Sequence, residues 1–156
     1  MNKLEGVHPE LAKRVTALIG IAKQDGYDLT VTQGLRTFAE QDKLFNQWRD
    51  GKDNDGDKRI DESDERVTHA AGGQSNHNYG LAVDLVFLIN GIVSWNDLLY
   101  VKIGEWAKEC DLAWGGNWKH KDLPHVEMPN LPNWRVLLSV YKKANGNLQV
   151  VWDSVT

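Results

Sequence analysis

The run Leu81-Ala82-Val83-Asp84-Leu85-Val86-Phe87-Leu88-Ile89 constrains this chain more than any other segment. Every residue but Asp84 is apolar, and the β-branched content and length favour a strand buried in the middle of a sheet over a helix. An ionised carboxylate there is costly, so Asp84 must be paired, held by backbone N–H groups or bound to a metal. The run is also far shorter than the roughly 20 residues needed to cross a bilayer. No other apolar run comes closer, so no stable membrane insertion is expected.

A chain of 156 residues is read as one domain, 1–156. Leu11, Val15, Leu18, Ile19 and Ala22 form one stripe and predict an amphipathic helix over 8–23, stopped by Gly26. Residues 29–32 alternate like a short strand. Thr37 and Glu40 match a capping box that opens a second helix, with Leu44, Phe45 and Trp48 on its stripe, to about 49. A turn at Asn90-Gly91, a third helix over 97–109 and a fourth over 131–144 follow the same reasoning. Short strands are expected at 112–114 and 125–128, and an edge strand at 148–152. Helices and strands do not alternate regularly. The fold class is therefore α+β: a small, mainly antiparallel sheet flanked by about four helices.

Charge is concentrated in one place. Residues 50–65 carry eight acids and three bases, while the rest of the chain is close to neutral. No basic face or stripe is visible, so no nucleic-acid partner is expected. The single cysteine, Cys110, excludes an internal disulfide framework and a multi-cysteine zinc knuckle. The N-terminal residues lack the apolar core of a secretory signal. A monomer made in the cytoplasm is expected.

The chemistry gathers around Asp84. His77 lies seven residues upstream, beyond Gly80, which allows a bend into the strand. The segment Asp122-Leu123-Pro124-His125 adds a second histidine and another carboxylate. Two neutral imidazoles and one carboxylate, with a position left for water, make up the ligand set of a catalytic zinc site. The competing reading gives each histidine a structural hydrogen bond.

Ser75-Asn76-His77-Asn78-Tyr79-Gly80-Leu81-Ala82-Val83-Asp84 resembles the S-x-H-x-x-G-x-A-x-D signature of the zinc D-alanyl-D-alanine carboxypeptidase family, the VanY-type peptidoglycan peptidases. Trp114-Gly115-Gly116-Asn117-Trp118 is similar to that family's G-G-x-W element, and Asp122 to Glu127 to its D-x-x-H-x-E element. Gly34-Leu35-Arg36-Thr37 with Glu40-Gln41 resembles its G-x-R-T…E-Q segment. These elements occur in the family's order over about residues 28–129 and look most like the L-alanyl-D-glutamate endopeptidase branch, common among phage endolysins.

The resemblance implies a fold of the hedgehog/DD-peptidase type, with His77, Asp84 and His125 as zinc ligands. It further implies Asp122 as general base and Arg36 as the residue that reaches the substrate and stabilises the oxyanion. For Arg36 the plain alternative is a surface side chain. Ser75 supports a ligand or simply forms a turn; Glu127, two residues beyond His125, orients a ligand or makes a plain salt bridge. Trp114 and Trp118 wall the cleft or pack in the core. His8, His69 and His120 carry no functional reading.

The acidic segment is a second candidate. Asp53, Asp55, Asp57, Asp61 and Asp64 fall at positions 1, 3, 5, 9 and 12 of a loop like that of an EF-hand, with Arg59 at position 7 and Ile60 as an apolar anchor. Lys58 stands where glycine makes the sharp turn, and Asp64 where a bidentate Glu is usual, with Glu65 as a substitute. The alternative is a solvated acidic loop. Bound calcium would tie the Arg36 helix to the His77 segment and regulate activity.

The function expected is a zinc metallopeptidase that cuts the peptidoglycan stem peptide at the L-alanyl-D-glutamate bond. It would reach the cell wall through a holin-type or other release route. The alternatives are a D-alanyl-D-alanine carboxypeptidase using the same site and a calcium-dependent wall-binding module.

Overall fold

The computed structural model describes residues 3–60, 63 and 66–155. Helix α1 (Pro9–Gln24) starts at His8, whose Nδ1 accepts from the Glu10 N–H at 3.0 Å, and Leu11, Val15, Leu18 and Ala22 are fully buried. Five strands follow the chain: β1 (Asp28–Gln33), β2 (Ala82–Ile89), β3 (Ile92–Ser94), β4 (Ala113–Trp114) and β5 (His125–Glu127). Among the described residues every pairing is antiparallel, in the order β1-β2-β5-β4, with β3 also on β2.

Strand β2 is the centre of the sheet, as its sequence requires. Side chains alternate across a strand. Val83, Leu85 and Phe87 accordingly enter the core with Leu11, Leu18, Ile103 and Trp106. Asp84 points to the opposite face with Ala82 and Val86. Strand β3 was not expected from sequence, because three residues are too few to show alternation. Its turn was legible: Asn90 and Gly91 both take positive φ, as a tight two-residue hairpin demands.

Helices α2 (Phe38–Phe45), α3 (Asp97–Glu109), α4 (Trp134–Lys143) and α5 (Leu148–Val155) complete the fold. The Thr37/Glu40 capping box is present. α2 is shorter than expected: Asn46 turns its amide back onto the Asp42 carbonyl at 2.9 Å, and a separate 3₁₀ turn (Gln47–Arg49) follows. α4 starts at Trp134 because Asn133 caps it, accepting from the Arg135 N–H at 2.9 Å.

The edge strand expected at 148–152 is a helix instead, the fifth. Leu148, Val151, Trp152 and Val155 recur at helical spacing and pack on the core, and Trp152 Nε1 donates to the Tyr79 carbonyl at 2.7 Å. Burial of that stripe overrides the strand preference of Val150 and Val151.

The acidic segment contains no helix or strand over residues 51–60. Ile60 is 59% exposed, so it does not anchor the loop as expected.

Candidate metal centre

The three expected ligand residues come from three local devices. Asp84 sits directly across the β2–β5 ladder from His125, so sheet register alone brings a carboxylate and an imidazole to one face. On the other flank Asp84 pairs with Gln33, where β1 shifts register after Val31, and the chain then turns toward Arg36. His77 lies in a 3₁₀ turn (Asn76–Tyr79) that ends at Gly80 with φ 65°. A Cβ on Gly80 would stand 2.8 Å from the Gly6 carbonyl oxygen, so both the left-handed conformation and the space require glycine.

Each imidazole has its outer nitrogen fixed. His77 Nδ1 donates to the Gly34 carbonyl at 2.9 Å, which turns Nε2 toward Asp84 Oδ1 at 3.3 Å. His125 Nε2 donates to Glu127 Oε2 at 2.7 Å, which turns Nδ1 toward the same Asp84 oxygen at 3.6 Å. Glu127 is itself held by Asn76 Nδ2 at 2.9 Å. An outer hydrogen bond of this kind sets tautomer and ring orientation in metal-ligating histidines.

Asp84 Oδ1 is buried and lies close to both imidazole nitrogens, yet it has no aligned hydrogen-bond donor among the described residues. The donor atoms of His77, Asp84 and His125 all lie within 4.8 Å of one another. Tetrahedral zinc with bonds of about 2.0–2.1 Å sets its ligands about 3.3 Å apart. The measured 3.3 and 3.6 Å match that spacing, and two imidazoles with a carboxylate are the donors zinc takes. The residues fit the metal.

Electrostatics agree with a cation site. Burial alone raises the pKa of the Asp84 carboxyl, but the His125 and His77 imidazoles outweigh it and hold it well below the usual carboxylate range. Burial lowers the pKa of His125, and the neighbouring Asp84 and Glu127 carboxylates overcome that and raise it to about 9. The cluster therefore favours positive charge between the two rings.

Asp122 approaches from the loop before β5, with Oδ2 3.8 Å from His125 Nδ1 and half its side chain open to solvent. Burial of the rest, helped by the Asp84 charge, raises its pKa against the pull of His125, His77 and Arg36. Gly115 makes room for this loop: a Cβ there would stand 2.4 Å from the Asp122 carbonyl oxygen. Arg36 is largely buried, with Nη2 3.8 Å from Asp84 Oδ2. Burial lowers its pKa, though a guanidinium keeps its charge.

Ser75 caps the 3₁₀ turn, its Oγ accepting from the His77 N–H at 3.3 Å, and also lines the cleft. The two tryptophans divide: Trp114 packs inward and donates to the Leu123 carbonyl at 2.7 Å, while Trp118 lies over His125 with ring centroids 4.8 Å apart. His77, Asp84, His125, Asp122, Arg36 and Glu127 all line one open cleft of ≈ 550 Å³, with Trp118 and Trp134 among its walls.

Asn76 and Gln41 fall within the resembling segments, yet sequence reasoning gave neither a role: Asn76 supports Glu127, and Gln41 holds Arg36. Gln41 is fully buried and falls at helical spacing with Leu44, Phe45 and Trp48. A polar residue on an apolar stripe was the signal that it has partners.

The acidic loop forms a second cluster. The carboxylates of Asp53, Asp55 and Asp57 come within 4.8 Å of one another. Asp53 accepts from the Gly56 and Lys58 N–H groups, which lower its pKa, and Arg59 N donates to Asp57. Asp61 and Asp64 lie outside the described residues, as does Glu65.

Comparison with known proteins agrees with the site. The profile of a family described as D-alanyl-D-alanine carboxypeptidase matches residues 68–128, a span that takes in His77, Asp84, Asp122 and His125. The peptidoglycan L-alanyl-D-glutamate endopeptidase CwlK of Bacillus subtilis (strain 168) is 37% identical over 139 residues, 81% of this chain and 75% of that protein. The chain belongs to the D-alanyl-D-alanine carboxypeptidase family.

Solved relatives of this peptidase family share the fold. The L-Ala D-Glu endopeptidase ChiX of Serratia marcescens superposes with a TM-score of 0.57 at 28% identity, over 81% of this chain and 83% of that one. A zinc complex of the D,D-pentapeptidase VanY superposes at 0.59 with 16% identity, over 94% and 83%.

Proposed function

We propose that this family member is a zinc peptidase that hydrolyses the stem peptide of peptidoglycan between L-alanine and D-glutamate. The observation that carries the reading is the buried Asp84 oxygen between His77 Nε2 and His125 Nδ1, spaced as a zinc ligand set and open to a cleft. The choice of bond is supported by the Bacillus subtilis and Serratia marcescens relatives, both named for it.

His77, Asp84 and His125 would hold the ion. When bound, zinc supplies Lewis acidity, which makes water nucleophilic near neutral pH and polarises a carbonyl. Asp122 stands at the cleft edge with its carboxylate half in solvent, placed to take a proton from the attacking water and return it to the leaving amine. Its raised pKa strengthens it as a base. Arg36 brings positive charge beside Asp84, where negative charge on the carbonyl oxygen would otherwise be repelled. Glu127 and the Gly34 carbonyl keep both rings aimed.

Cutting the bond after L-alanine frees the stem from D-glutamate onward, with any crosslink it carries, so we extend the proposal to endolysin-like lysis. Mass spectrometry of digested muropeptides tests the bond. Muropeptides that keep only L-alanine and lose the stem from D-glutamate onward are expected; loss of only the terminal D-alanine would assign the carboxypeptidase reaction instead. Elemental analysis should find one zinc per chain, and a falling turbidity of wall-exposed cells would register lysis.

We further infer that the acidic loop takes calcium through Asp53, Asp55, Asp57 and the Arg59 backbone, with Asp61 and Asp64 as the remaining expected ligands. The support is the convergence of three carboxylates and the left-handed Lys58 (φ 75°), which takes the conformation glycine usually supplies there. Calcium added to metal-stripped, zinc-reloaded protein should raise its melting temperature and activity; no change in either would remove the idea.

A further inference from the structure

The buried Gln41 has no part in the chemistry proposed above, yet it makes the only side-chain hydrogen bond of Arg36 among the described residues. Its Oε1 accepts from Arg36 Nη1 at 2.8 Å, and its Nε2 donates to the Ala70 carbonyl at 2.8 Å. Arg36 Nε is buried without a partner, and Nη2 reaches Asp84 only at 3.8 Å. The guanidinium is thus steered by a single amide.

We infer that Gln41 is a positioning residue that aims Arg36 into the cleft and locks it to the segment leading to His77. The inference rests on Arg36 serving the reaction, as proposed above.

Three observations carry it. First, Gln41 is 0% exposed at a helix position where an apolar residue would pack at less cost, so its amide must be retained for its partners. Second, the amide is the right group chemically. A carboxylate would hold Arg36 as well but would neutralise the charge meant for the substrate. An amide orients that charge and leaves it intact. Third, α2 grips the segment at two neighbouring points, Gln41 on the Ala70 carbonyl and Asp42 Oδ1 on the Gly72 N–H at 2.7 Å. That segment continues into the turn carrying His77, whose carbonyl accepts from the Arg36 N–H at 3.0 Å. One buried amide therefore couples the Arg36 charge to the strap between the acidic loop and a metal ligand.

The test is a double-mutant cycle on a soluble muropeptide, with kcat, KM, zinc content and melting temperature read for each protein. Gln41→Met keeps length and volume but removes both hydrogen bonds. It should lower kcat about 10- to 100-fold, since misplacement of a catalytic group by about 1 Å costs on that order. KM should move less than kcat, and zinc should stay bound. In an Arg36→Ala background the same substitution should change kcat less than about twofold, because the group it positions is gone. Equal losses in both backgrounds would overturn the inference.

Gln41→Glu guards against a folding defect in the methionine variant. It keeps the acceptor for Arg36 but cancels the charge and opposes the Ala70 carbonyl, so kcat should fall with zinc retained. Parental kcat in that variant overturns the inference. If Arg36→Ala is fully active, the reading of Arg36 fails and takes this one with it. If Arg36→Ala is impaired and Gln41→Met is not, only the role of Gln41 fails.

Discussion

Replacing Glu127 by glutamine should weaken zinc binding, and by an amount that depends on pH. Glu127 Oε2 accepts from His125 Nε2 at 2.7 Å and from Asn76 Nδ2 at 2.9 Å, with little of its side chain in solvent. Glutamine preserves the shape and one acceptor but removes the charge. Loss of such an outer-sphere partner typically costs about 10- to 100-fold in metal affinity, or about 1.4–2.8 kcal/mol. The carboxylate also binds a competitor of the metal. It helps raise the His125 pKa to about 9, so at pH 7 the imidazolium outnumbers the neutral ring by about 100-fold and zinc must expel that proton. Glu127→Gln lowers the pKa and relieves part of this competition. The affinity loss should therefore be largest above pH 9, where no proton competes, and smaller at pH 7. Titration against a zinc-chelating dye in a metal buffer measures both. A dissociation constant within twofold of the parent at both pH values refutes the assignment of Glu127 as the group that tunes His125.

In the parent, zinc affinity should rise about tenfold per pH unit up to pH 9 and then level off, with about one proton released per ion in calorimetry run in two buffers. The chelator-treated protein should lose stability as pH rises from 6.5 through 9. The folded-state pKa of His125 lies above its unfolded value, so its contribution is complete below 6.5 and gone above 9; the zinc-loaded protein should show no such decline in thermal melts. Asp122→Ala should keep its zinc and lose about 100- to 10,000-fold in kcat on muropeptides, and a variant within tenfold of the parent would remove Asp122 as general base. Leu137→Ala, at a fully buried α4 position, should cost about 2–5 kcal/mol in denaturant unfolding with zinc stoichiometry unchanged.

Much of the site could be read from sequence because its costs are local. A carboxylate inside an apolar strand needs a partner wherever the strand lies, so Asp84 announced a cation or an ion pair before any fold was known. Gly80 likewise marked the bend that presents His77, since its positive φ is a property of the backbone at that residue. What stayed hidden depends on partners far along the chain. The place of Gln41 on an apolar stripe signals that it has partners, but not that they are Arg36 and the Ala70 carbonyl. The helix α5 was mistaken for a strand because Val150 and Val151 favour extended backbone in isolation, whereas the buried stripe of Leu148, Val151, Trp152 and Val155 exists only once the core is assembled. Strand β3 gains its identity only from pairing with β2. The Thr37/Glu40 cap predicted the start of α2 correctly, but its end depends on how Asn46 folds back, which stripe spacing does not encode.

The placement of Asp84 and His125 on one rung of the β2–β5 ladder bears on how the enzyme acquires its ion. Two of three donors are set by backbone pairing, so a receptive pocket should arise as soon as the sheet closes. Capture then asks for no ordering of the chain, unlike small zinc modules that stay unfolded until loaded. Such an enzyme can be emptied and refilled without losing its shape, and its working population should follow the free zinc around it rather than its folding history.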